Sequence, residues 1–74
     1  MRGFPSQAEV KRVKEMYPNG TRIELDWMED PWSSLKSGDQ GTVFFVDDVG
    51  TVHVKWDSGS SLGLVYGEDR FHKI

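Results

Sequence analysis

Thr51-Val52-His53-Val54-Lys55-Trp56-Asp57-Ser58-Gly59-Ser60-Ser61-Leu62-Gly63-Leu64-Val65-Tyr66 decides the fold. Val52, Val54 and Trp56 alternate with His53 and Lys55, the period of a half-buried strand. Asp57-Ser58-Gly59 is a tight connection, with glycine where a positive φ is expected. Ser60 to Tyr66 then reads as the return strand, with Leu62, Leu64 and Tyr66 on one side. A hairpin of this kind places the C-terminal half of the chain among all-β folds.

The same period holds upstream. Gly41 to Val46 reads Gly-Thr-Val-Phe-Phe-Val, and Asp47-Asp48-Val49-Gly50 turns it into the hairpin strand. Thr21, Ile23, Leu25 and Trp27 alternate with Arg22, Glu24, Asp26 and Met28, giving a first strand. Glu29 to Gly38 is a loop containing Asp30-Pro31 and Ser33-Ser34. Downstream, Gly67-Glu68-Asp69 breaks the fourth strand, and Phe71 to Ile74 forms a short last one.

Before residue 20 the period is 3.6. Ser6 followed by Glu9 is a capping box, and Val10, Val13, Met16 and Tyr17 form one apolar stripe. Pro18-Asn19-Gly20 ends the helix, because proline disfavours helical backbone in the preceding residue. The expectation is a mainly β chain: a five-stranded SH3-like small barrel with one N-terminal α-helix over about residues 7–17. A barrel also removes the exposed edges that so small a sheet would carry. Residues 1–74 read as one domain, with helix and turn over 1–20 and barrel over 21–74.

With 74 residues, three Trp, four Phe, two Tyr and no cysteine, stability must come from aromatic packing or self-association rather than disulfides. No segment approaches a membrane span of about 20 apolar residues, and no apolar run resembles a signal peptide, so a cytoplasmic location is expected. The net charge of −3 disfavours broad phosphate-driven nucleic-acid binding. The charge is uneven, however. Residues 1–22 hold five basic and two acidic residues, whereas residues 23–74 hold four basic and ten acidic.

The run Val52 to Leu64, followed by Tyr66-Gly67-Glu68-Asp69, resembles the family known as domain of unknown function 4314. Arg2-Gly3-Phe4-Pro5-Ser6, Gly41-Thr42-Val43, Asp47-Asp48 and Gly50 are similar to it as well. The resemblance covers almost the whole chain, and Trp-Asp-x-Gly-Ser-Ser-Leu is its most specific stretch. It implies a small protein of bacteria, phages or mobile elements, and an accessory role such as countering a host defence. It implies no mechanism.

Ser60, Ser61, His53 and Asp57 could be written as a hydrolytic set. His53, however, faces away from Val52 and Val54, and the serines suit hairpin backbone groups. No catalytic residue is therefore assigned, and the chain reads as a non-enzyme. No metal site is assigned either: Asp47-Asp48 with Gly50 is too short for a calcium loop, and His53 and His72 show no zinc spacing. No cofactor is expected.

Aromatic residues exceed what one small barrel needs. The core accommodates Ile23, Leu25, Val43, Val52, Val54, Trp56, Leu62, Leu64 and Phe71. Phe44 and Phe45 are adjacent, so regular pleating sends them to opposite faces. Trp27 and Met28 occupy both faces of strand one, and Trp32 sits in a polar loop. The leading expectation is a binding module that sequesters a nucleotide-like ligand or a host protein, as a homo-oligomer. Trp27 and Trp32 would stack, Arg22, Lys36 or Arg70 would supply charge, and Ser60 and Ser61 hydrogen bonds. A second reading is a nucleic-acid-associated barrel using Lys11, Arg12 and Lys14 on the basic helix. A third is an adaptor whose Trp32 loop grips a protein partner.

Overall fold

A computed structural model of the chain describes residues 6–28 and 34–74. Helix α1 spans Gln7–Met16, and the strands are β1 (Arg22–Trp27), β2 (Gln40–Val46), β3 (Thr51–Trp56), β4 (Leu64–Val65) and β5 (Arg70–Lys73). Ser6 caps α1 by accepting the Glu9 amide at 3.2 Å, the bond that the Ser-x-x-Glu spacing anticipates. Tyr17 is the C-cap rather than the last helical residue.

All strands pair antiparallel in the order β4-β3-β2-β1-β5. The two edge strands, β4 and β5, are consecutive in the chain and separated by residues 66–69 alone. A link that short, turned back on itself by the Glu68 and Asp69 amides on the Val65 carbonyl, cannot cross a flat five-stranded sheet, because strands lie about 4.8 Å apart and the two edges of a flat sheet would be roughly 19 Å distant. The sheet must roll until its edges meet, which is the SH3-like barrel anticipated from the strand periods. Tyr66 and Asp69 pair across the link. Tyr17, Phe71 and Tyr66 fill the seam, with Tyr17 packed 5.2 Å from Phe71 and 6.3 Å from Tyr66 between ring centres.

The core holds Ile23, Leu25, Val43, Val52, Val54, Trp56 and Leu64, with Val13 and Tyr17 from the helix end and Leu35 from the first loop. Phe71 packs against it half-buried. Leu62 does not join. It is 37% exposed, because β4 is only two residues long and the preceding 60–63 run is irregular. Its contribution is its carbonyl, which accepts the buried Trp56 indole N–H at 2.8 Å.

Two β-bulges change which residues face outward. On β2, Val43 opposes Val54 and Phe45 opposes His53, so Phe44 is the extra residue. Both phenylalanines therefore lie on the outer face, between buried Val43 and Val46, and the expected split to opposite faces does not occur. On β1, Leu25 opposes Phe71 and Trp27 opposes Arg70, so Asp26 is the extra residue. Trp27 is thereby turned out of the Ile23–Leu25 row and is 50% exposed.

Candidate binding surface

The outer face of β2 and β3 carries an aromatic group made of exposed Phe45 and half-buried Phe44 and His53. Phe45 lies flat on His53, its ring centre 4.2 Å away and its plane 6° from parallel. Phe44 meets Phe45 edge-on at 5.0 Å and lies 6.0 Å from His53. These three separations make a near right angle at Phe45. Phe44 therefore stands beside the stack, and neither ring covers the Phe45 face that points away from His53.

Neighbouring polar groups fix this ledge. Asp47, at the end of β2, holds the His53 Nε2 at 2.9 Å and accepts the Thr51 and Val49 amides at 2.9 and 3.1 Å. Partial burial pushes the Asp47 carboxyl up, but the bonds from His53, Thr51 and Val49 outweigh it, and its pKa lies below the ordinary value. Lys55 places its ammonium 5.5 Å from the Phe44 ring centre, a cation–π contact. Asn19, after the helix, donates to the Phe44 carbonyl at 2.9 Å and pins the bulge.

Among the described residues, those expected to bind ligand come from several elements: β1, the first loop, the β3–β4 connection and β5. Trp27 and Arg70 are cross-strand neighbours, both exposed. Arg22 is committed: its guanidinium grips Asp57 with two bonds of 2.8 and 2.7 Å and also reaches Thr42 at 3.0 Å. That pairing raises the Arg22 pKa and lowers that of Asp57. Lys36 lies in the first loop, its amide bonded to Asp39. Ser60 serves the hairpin by accepting the Leu62 amide at 3.3 Å, and Ser61 is exposed. Trp32 lies outside the described residues.

On the helix, Lys11 and Arg12 are exposed, and Lys14 pairs with Asp48 at 3.0 Å. Gln7, Val10, Lys11, Lys14 and Asp48 line a shallow cleft where the helix crosses the β2–β3 turn. Of the residues written as a hydrolytic set, His53 is held by Asp47 and Asp57 by Arg22.

Sequence reasoning passed over two groups. One is the Phe45–His53–Lys55 face, whose clue was that His53 and Lys55 share the non-core side of their strand. The other is Glu24, Asp26 and His72, whose potential ligand atoms all lie within 4.8 Å of one another. Its clue was the spacing of Glu24 and Asp26 together with an antiparallel last strand. No curated protein matches the chain significantly. The family model for a domain of unknown function, DUF4314, matches residues 6–74, nearly the whole chain. The chain therefore belongs to the DUF4314 family.

Proposed function

We propose that this protein is a non-catalytic binding module that takes a planar, nucleobase-like group on the outer face of β2 and β3, and so sequesters a nucleotide-like ligand. The observation that carries this reading is the Phe45 ring. It is 45% exposed, backed by His53 on one side and left open by both ring neighbours on the other. A base added there would extend an existing stack, and base–aromatic stacking contributes about 1–3 kcal/mol per base. Lys55, whose ammonium lies over the Phe44 ring, would meet a phosphate attached to that base. The binding residues thus shift from Trp27, Trp32 and Arg22 to Phe44, Phe45, His53 and Lys55.

The basic helix supports the nucleic-acid reading less well. Lys14 is already paired with Asp48, so the cleft beside it presents an acid next to its lysines.

Titrating isotope-labelled protein with the four common ribonucleoside monophosphates tests the proposal. Amide shifts should concentrate on residues 44–47 and 51–55, and Phe45→Ala should weaken them at least tenfold. Shifts confined to α1, or none at millimolar nucleotide, would remove this reading.

A further inference from the structure

Opposite the aromatic ledge, at the β5 side of the sheet, Glu24, Asp26 and His72 converge on the outer surface. Glu24 and His72 are direct cross-strand partners in the β1–β5 ladder. Asp26, two residues further along β1, shares the outer face with Glu24 by ordinary alternation and is the extra residue of the β1 bulge. His72 Nδ1 lies 2.8 Å from Asp26 Oδ2, and its Nε2 lies 3.9 Å from Glu24 Oε2. Gln40, on β2, donates to the other Glu24 oxygen at 3.1 Å and orients the carboxylate toward His72.

Charge makes the arrangement unusual. The described ion pairs give both carboxylates a single partner, His72, and no Lys or Arg. The Arg22 guanidinium, which reaches Gln40 beside Glu24, is spent on Asp57. Two carboxylates sharing one imidazole remain net negative whether or not that imidazole is protonated.

We infer that Glu24, Asp26 and His72 form a divalent transition-metal site for which Zn2+ is the best-fitting ion. Zinc accepts imidazole nitrogen and carboxylate oxygen at about 2.0–2.2 Å, so tetrahedral donors stand roughly 3.3 Å apart. One ligand atom from each of the three residues lies within 4.8 Å of the others, so rotations of about 1–1.5 Å in these partly exposed side chains bring them to that spacing around a single imidazole nitrogen. The ion takes the place of the His72–Asp26 contact and offsets the excess charge. Gln40 acts as an outer partner that holds one ligand in place. Three protein ligands leave a coordination position open to water or to an anionic group. The calcium-type alternative is disfavoured by the imidazole, since hard cations take oxygen.

The test is calorimetric and NMR titration of the tag-free full chain with zinc chloride. One saturable site is expected, with shifts centred on residues 23–27 and 70–73. His72→Gln and Glu24→Gln should each weaken binding tenfold or more, while His53→Gln should leave it unchanged. Circular dichroism melts of each variant establish that it is folded, and Glu24→Gln, which keeps an oxygen to accept from Gln40, covers the case in which His72→Gln fails. Absence of saturable binding up to millimolar zinc, or loss of binding in His53→Gln instead, overturns the inference. Absence of zinc binding does not bear on the aromatic ledge, which His72→Gln and Glu24→Gln leave intact.

Discussion

Phe45 and His53, on neighbouring strands, lie in register with their rings 4.2 Å apart and nearly parallel. The pair exists because Phe44 is looped out as a bulge, which moves Phe45 into line with the outward His53. Exposed stacked pairs of this kind contribute about 0.5–1.5 kcal/mol. The ring is also about half-buried, so Phe45→Ala should lower the unfolding free energy by about 1–3 kcal/mol, as measured in urea. The same variant should abolish nucleotide-induced shifts. A large stability loss without a binding loss would assign the ring to packing instead.

Gly41 predicts a much larger effect. It faces Trp56 across the β2–β3 ladder, and a Cβ built there would stand 2.6 Å from Val54 Cγ1, 2.9 Å from the Lys55 carbonyl and 3.0 Å from the Trp56 ring. Two of these neighbours are buried side chains and one is backbone, so none yields cheaply. Gly41→Ala should destabilise by about 1–3 kcal/mol, the range for overpacking, and broaden the spectrum of the β2–β3 hairpin. A thermal melt unchanged from the parent would contradict the close approach.

Asp47 ties the ledge to acid stability. Its folded pKa lies below the ordinary 3.8, so the unfolded chain takes up its proton first as pH falls. The stabilisation is fully present above that ordinary value and is lost as pH drops through the lower folded one. Urea midpoints measured from pH 6 down to pH 2 should fall in the acid range, and Asp47→Asn should flatten that part of the profile. An Asn variant with the parent's acid dependence would place the effect elsewhere.

Asp69 guards the short edge strand. It is buried, and its carboxylate accepts the outward Val65 amide at 2.9 Å, while the Val65 carbonyl accepts the Glu68 and Asp69 amides. Edge groups satisfied in this way cannot recruit a second strand. Asp69→Ala should cost about 1–3 kcal/mol by stranding a buried donor. It should also raise the sedimentation coefficient at high concentration, because Leu62, Val65 and Tyr66 expose apolar surface beside that edge. A monomeric variant of parental stability would show that the cap is dispensable.

Alternation alone places Ile23, Leu25, Val43, Val52, Val54 and Leu64 in the core, and the capping box and Pro18 bound the helix. What alternation cannot carry is a bulge, which depends on how a strand registers with its partner. One bulge moves Phe44 and Phe45 to the same side, and another, at Asp26, turns out Trp27. Each outward cluster lies next to one of them. Leu62 failed for a related reason: the run before β4 leaves the ladder, and its backbone rather than its side chain meets the core. Arg22 was legible as a cation but not as one already held by Asp57, 35 residues away in sequence.

The most direct test of the binding account is native mass spectrometry of the protein taken from cells, comparing the parent with Phe45→Ala. The account predicts a retained small ligand with a nucleobase-type absorbance on the parent, absent from the variant at the same subunit count. An identical adduct on both proteins would contradict the assignment of the Phe45–His53 ledge as the binding surface.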